Sequence, residues 1–194
     1  MLCSVRAVAS VYSGPIHGEP LAIELHNTLY AGGGERIDAI ADAAGLGAWL
    51  GAVAGDLPVG AQAIDASAVT AFHELRAAVR AAIESAVAAT AVPPRARRTL
   101  NDAAAACPRS MQLAADGTRR VRYHADDPTQ IALAAIAAET IALVSGPRAR
   151  DLRACGAPGC VLAFLKDHPR RTWCSTACGN RARQASHYAR HHHP

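Results

Sequence analysis

Four cysteines near the C-terminal end carry the clearest chemistry in this sequence. Cys155 and Cys160 are separated by four residues, Cys174 and Cys178 by three, and thirteen residues lie between the two pairs. Close thiol pairs joined by a short loop meet the requirement of a tetrahedral zinc ion, because each pair places two thiolates on a tight turn. Four thiolates leave no open coordination position, so the expected role is structural and not hydrolytic. His168 would be a ligand only if one cysteine were spare. A module of about 40 residues has little core of its own, so the metal is expected to supply folding free energy. Trp173 and Phe164 are the side chains expected to cover the cluster.

The second chemical feature is charge. From Pro147 to the end there are nine Arg or Lys against two Asp, a net +7, whereas the residues before it hold eleven Arg against fourteen acids, a net −3. A mildly acidic body with a basic end is the distribution of a nucleic-acid contact attached to a regulatory or scaffold domain. The chain after Cys178 reads as a helix opening at or near the last ligand. Arg181, Gln184 and Tyr188 fall on one face, with Arg183, His187 and Arg190 on the neighbouring stripe. Guanidiniums projected from a zinc knuckle suit phosphates or guanine edges. The candidate nucleic-acid residues are Arg170, Arg171, Asn180, Arg181, Arg183 and Arg190. The competing reading is a solvated basic helix that holds the finger against the acidic body.

The chain ahead of this end is expected to be mostly helical. Alanine inflates the 51% hydrophobic content, and aromatics make up only 4%, which favours close-packed helices over a sheet sandwich. Residues 1–18 read as a loose lead-in. Leu21–Leu29 is an apolar segment whose periodicity does not choose between strand and helix, and Gly32-Gly33-Gly34 reads as a loop. Asp42 is expected to cap a helix carrying Leu46, Trp49, Leu50 and Val53 on one face, ended by Gly55 and Pro58. A longer helix over about 66–92 shows the stripe Phe72, Leu75, Val79, Ile83 and Val87, with Pro93-Pro94 as its stop. Arg95, Arg97 and Arg98 then precede another helix. Met111 to His124 reads as a hairpin turning at Asp116-Gly117. Asp127-Pro128 caps an almost wholly apolar helix from Thr129 to about Val144, the expected central helix.

The fold class expected is mainly α, in the α+β sense of helices with a small β-hairpin. A multihelical domain is assigned to 1–146, with a sensing or dimerising role, and a treble-clef-like or ribbon-like zinc module to 147–194. No run of about 18 apolar residues is free of charges and Gly/Pro breaks, so no membrane span is expected. Met1–Tyr12 is too weak for a signal peptide. The expected compartment is cytoplasmic, where clustered thiols stay reduced. Cys3 and Cys107 stand alone and read as a terminal thiol and a small buried or loop residue.

Trp173-Cys174-Ser175 followed by Cys178-Gly179-Asn180-Arg181 resembles the signature of CGNR zinc finger proteins. In that bacterial family the finger follows an N-terminal ABATE domain, and its members are described as stress-induced transcriptional regulators or RNA-binding zinc-ribbon-like proteins. The resemblance extends to Leu21–Leu29 with Asn27-Thr28, to Ala48-Trp49-Leu50, to Phe72–Arg80 and to Arg153-x-Cys155 with Cys160. It implies Cys155, Cys160, Cys174 and Cys178 as ligands, and Arg171, Asn180, Arg181 and Arg183 as the finger's polar positions. Glu24-Leu25-His26 departs from the more apolar run of the family.

The function expected is a zinc-containing regulator that contacts DNA through its finger. RNA binding and a protein-interaction module with purely structural zinc are the alternatives. Specific DNA binders are commonly dimers, so a homodimer is an expected partner state. A small-molecule effector is the other, with Asn27 and Arg76 as its candidate polar contacts. No catalytic constellation stands out: His26, His73 and His124 are scattered, and His73-Glu74 lacks a second histidine at the zincin spacing. The chain is not expected to be an enzyme.

Overall fold

The computed structural model describes residues 11–57 and 64–192. Cys3, the start of the lead-in, Pro58 and His193 lie outside them. The elements run α1 (Leu21–Asn27), β1 (Leu29–Gly32), β2 (Glu35–Asp38), α2 (Ala43–Ala52), α3 (Ala66–Val87), α4 (Pro94–Ala106), β3 (Arg109–Leu113), β4 (Arg119–Tyr123), α5 (Pro128–Ser145), β5 (Leu152–Ala154), β6 (Ala163–Leu165) and α6 (Thr176–His192). A 3-10 turn over Pro147–Asp151 joins α5 to β5. The strands form three separate antiparallel pairs, β1–β2, β3–β4 and β5–β6. The mainly helical class holds, with three hairpins among the described residues where the sequence indicated one.

The ambiguous segment at 21–29 divides between both states. Pro20 opens α1, and the Thr28 hydroxyl closes it by donating to the Leu25 carbonyl at 2.8 Å. Strand β1 starts one residue later, and Gly33 and Gly34, both at positive φ, form the tight turn into β2. Two consecutive positive φ values are what a two-residue hairpin loop demands, so the triple glycine is a turn and not an open loop. Asp42 caps α2 as expected, its Oδ1 accepting from the Gly45 amide at 2.8 Å. Helix α3 ends at Val87, earlier than expected, because Ala89 takes a φ of 52° that breaks the helical path. Val87 is exposed and not part of the stripe. Pro93 and Pro94 start α4 instead of stopping α3, since proline needs no amide partner in a first helical turn. Arg95, Arg97 and Arg98 therefore lie inside α4.

Helix α3 is the axis of the body, packing on α1, α2, α4, α5 and β5. Ile23, Leu25, Trp49, Phe72, Val79 and Ile136 fill the core, and Trp49 meets Phe72 edge-on at 6.0 Å. Helix α5 is long and apolar enough to cross a membrane by length and composition. Its Ala132, Ile136 and Leu143 are instead buried in this core. Its one acid, Glu139, accepts from the Ala22 amide at 2.9 Å, serving the open N-terminus of α1.

The seven-residue α1 is buried throughout, including Glu24, His26 and Asn27. Its polar side chains are there to bind other backbone. Asn27 Nδ2 donates to the Ala163 carbonyl at 3.0 Å, and Asn27 Oδ1 accepts from the Ala163 amide at 3.0 Å. Just upstream, Glu19 Oε2 accepts from the Leu165 amide at 3.0 Å. The outer edge of β6 is thus held by side chains of the body. Along β6, Ala163 and Leu165 enter the body core while Phe164 turns to the cysteine cluster, the alternation a strand imposes.

Asn27→Ala leaves the buried amide and carbonyl of Ala163 unpaired, so equilibrium unfolding should show a loss of about 2 kcal/mol or more. His26, whose Nδ1 donates to Asn27 Oδ1 at 3.0 Å, titrates at about 4 because burial, and then Arg80, disfavour its charged form. The unfolded histidine binds a proton near pH 6.5 and the folded one does not. Its contribution is therefore present above pH 6.5 and lost as pH falls toward 4, by up to about 3 kcal/mol. Denaturation at stepped pH should show this decline in the native chain and a flatter profile in His26→Gln.

Candidate metal centre and nucleic-acid interface

Hairpin β5–β6 carries the first cysteine pair at its tip. The Cys155 amide donates to the Leu162 carbonyl at 2.8 Å, and the Cys160 amide to the Ala157 carbonyl at 2.9 Å, with Gly159 at positive φ between the ligands. The second pair belongs to α6. Cys174 precedes the helix and Cys178 lies in its first turn, where the Cys178 amide donates to the Ser175 hydroxyl at 3.3 Å. A knuckle on a hairpin facing a helix start is a treble-clef-like arrangement.

The four sulfurs lie within 4.8 Å of one another. Cys174–Cys178 is 3.4 Å and Cys160–Cys174 is 3.8 Å between sulfurs. Tetrahedral zinc with bonds of about 2.3 Å places its sulfurs about 3.8 Å apart. Disulfides require about 2.05 Å, so these thiols are free and spaced for a shared ion. Around them the Cys174 amide donates to Cys155 Sγ at 3.5 Å, and Arg181 Nη2 to Cys178 Sγ at 3.2 Å. Such donors offset the excess negative charge of four thiolates on a divalent ion. With protons in place of metal, the hydrogen bond from Cys174 pulls Cys160 down to about 5, while the bond to Cys160, and then burial, hold the Cys174 thiol protonated. Every thiol must deprotonate to ligate. The donor set fits structural zinc. His168 stands outside the cluster, its Nδ1 accepting from the Arg170 amide at 3.1 Å.

Trp173 and Phe164 pack on the cysteines as expected. Trp173 is wedged between two glycines: a Cβ on Gly156 would meet its ring at 3.4 Å, and one on Gly179 at 2.9 Å. The Gly of Cys-Gly-Asn-Arg is therefore required by a close approach of helix and indole.

A model of the ABATE family, described as "Putative stress-induced transcription regulator", matches residues 19–147, and a CGNR zinc finger model matches 151–191. The chain belongs to the ABATE family. It is followed in the same chain by the CGNR finger, the order that the sequence signature implied. No curated relative matches the chain.

The predicted contact residues of this ABATE–CGNR chain separate into two groups. Arg171 is turned inward. It donates to the Leu165 carbonyl at 3.0 Å, pairs with Glu19 and with Asp167 at 3.3 Å, and lies 5.0 Å over the Phe164 ring. Its guanidinium ties finger to body, which is not the phosphate position anticipated for it. Arg170, Asn180, Arg181, Arg183 and Arg190 are exposed. Asn180 Oδ1 accepts from Arg183 Nη2, and Arg181 stays beside Cys178. A cleft of about 390 Å³ at the head of α6 is lined by Arg170, Arg171, Trp173, Ser175 and Arg183. Beyond Ala182 every residue of α6 through Arg190 is exposed, so the helix projects past the finger.

Asn27 and Arg76 share none of the clefts formed by the described residues, and only Arg76 lines one of them. Asn27 is spent on Ala163, while Arg76 makes a two-pronged ion pair with Asp38 and donates to Thr28 Oγ1 at 3.1 Å. Burial opposes the Asp38 carboxylate, but this guanidinium keeps it below the usual carboxylate range. The sequence reading missed Glu19 as a finger contact. Its only signal was its place ahead of the Asn-Thr segment.

Cys174→Ser should release the metal and unfold the finger while leaving the helices of the body in place. Metal content by a colorimetric chelator assay should fall from one zinc per chain to near zero, with most of the far-UV helical signal kept.

Proposed function

We propose that this zinc-finger member of a regulator family binds duplex DNA through the head and exposed face of α6. The carrying observation is the projection of α6. Over 17 residues, about 26 Å of helix, it holds three arginines and no acid. Among its described residues the buried ones, Cys178, Gly179 and Ala182, lie in the first two turns and seat it at the zinc site. A rigidly mounted basic helix of this size suits the major groove, with Arg170 and Arg183 at its N-terminal end placed for backbone phosphate.

RNA is the less favoured partner for a structural reason. Single-strand recognition leans on aromatic stacking. Trp173, one of two aromatic candidates near the site, is half-buried and wedged between glycines. That leaves Tyr188, 63% exposed on α6. The role proposed is binding and not catalysis, in a reducing cytoplasm and, given the small area of one finger, as a homodimer. A small-molecule effector would reach both halves of the chain in the cleft of about 330 Å³ lined by Arg36, Arg80, Ile83 and Leu162.

The test is fluorescence anisotropy of the zinc-loaded chain on pooled duplex DNA and on single-stranded RNA, across about 50–200 mM salt. Duplex binding should be tighter and fall steeply with salt. Arg170→Gln with Arg183→Gln should weaken it about ten-fold and lower the salt slope by about two. Tighter binding to RNA, or no binding to either with zinc in place, overturns the reading.

A further inference from the structure

Hairpin β3–β4 lies outside the finger and its cysteine cluster. It leaves the body between α4 and α5, with the His124 amide bonded to the Pro108 carbonyl at 2.8 Å and Ser110 Oγ paired with His124 Nε2 at 2.9 Å at its root. The turn is fixed by Asp116, whose Oδ1 accepts from the Thr118 amide at 2.9 Å, and by Gly117 at positive φ. The ribbon is therefore an ordered projection.

Its two faces are distinct. The register pairs Arg109 with Tyr123, Met111 with Val121 and Leu113 with Arg119, which puts these six side chains on one face. Ser110, Gln112, Arg120 and Arg122 occupy the other. Met111 is 74% exposed, Leu113 82% and Val121 44%. Exposed apolar side chains clustered on one ribbon mark a contact surface. The apolar trio is bracketed by Arg109 at the root and Arg119 at the tip. Between Arg109 and His124 there are four arginines against one acid. Among the described residues only Arg120 of the four has an acidic partner, Asp116 at a loose 3.8 Å. The overall negative balance of the body conceals this basic element.

We infer that the β3–β4 ribbon is a second duplex-DNA contact, seated in a major groove with Met111, Leu113 and Val121 against base edges and Arg109 and Arg119, on the same face, at the flanking phosphates. The inference rests on the DNA reading given above and adds a contact site outside the finger. Charge decides the occupant: unpaired guanidiniums around an apolar strip match a polyanion that carries thymine methyl groups. The size agrees, because five-residue strands span about 17 Å and a major groove about 12 Å wide accepts a two-stranded ribbon.

The experiment compares three zinc-loaded chains on pooled duplex DNA by anisotropy across about 50–200 mM salt. These are the native chain, the variant with Arg109 and Arg119 both changed to Gln, and the double variant Met111→Ser with Leu113→Ser. All four positions are surface side chains, and circular dichroism and zinc content confirm that each variant is folded. The arginine variant should bind about ten-fold more weakly, with a salt slope shallower by about two. The serine variant should lose several-fold in affinity at an unchanged slope. If the native chain binds no duplex, the DNA reading and this inference fall together. If it binds and the arginine variant matches it in affinity and slope, this inference alone falls. A serine variant that alters only the sedimentation state makes the ribbon a face between copies of the chain, which also overturns it.

Discussion

The side-chain amide of Asn27 does for the outer edge of β6 what a neighbouring strand would do, and the geometry of the whole chain hangs on that substitution. One amide presents a donor and an acceptor at the spacing of a peptide group, and Ala163 uses both. Glu19 then takes the next outward-facing amide, Leu165, and the free edge of a two-stranded sheet is closed without a third strand. Burial makes this arrangement demanding. Asn27 is fully enclosed, so any unpaired group there would carry its full desolvation cost. In return the pairing specifies one register of finger against body, because a slip of one residue would turn Phe164 away from the cysteines.

The same three-residue strand therefore serves two cores. Ala163 and Leu165 complete the helical body, and Phe164 closes over the thiols. A small zinc module has too little apolar area to fix its own orientation, and here it borrows the body for that purpose. Arg171 strengthens the join from the finger side, reaching Glu19, the Leu165 carbonyl and the Phe164 ring at once. The finger is docked, not tethered. The direction in which α6 projects is consequently a property of the body as much as of the metal site, and anything that disturbs α1 acts on the helix through β6.

Much of this was legible in the sequence wherever local chemistry decides the outcome. Cysteine spacing located the metal centre, Asp42 and Asp127 marked their helix starts, and Asp116-Gly117 marked its hairpin. The rest was hidden for two reasons, an ambiguous local signal and partners distant along the chain. Pro93-Pro94 reads equally as a stop or a start, and only the positive φ at Ala89 shows that the preceding helix had already ended. Asn27 and Arg76 look like ligand-binding groups in one dimension because buried polar residues need partners. Their partners lie far away along the chain, and no local pattern announces them.

The arginines make the point most sharply. Net charge treats every guanidinium alike, and on that basis Arg170 and Arg171 are twins. In the folded chain they do opposite things. Both line the cleft at the head of α6, but Arg171 is bonded to carboxylates, a carbonyl and a ring, whereas Arg170 is exposed. Arg76 and Arg80 repeat the inward pattern in the body, Arg76 closed by Asp38 and Arg80 bonded to the His26 carbonyl. What distinguishes an available cation from a structural one is whether an acceptor lies within reach once the backbone is in place. By that criterion the available cations among the described residues include those of α6 with its flanking loop, of the β3–β4 ribbon and of the exposed Arg95, Arg97 and Arg98 in α4, and the nominal acidity of the body is no measure of them.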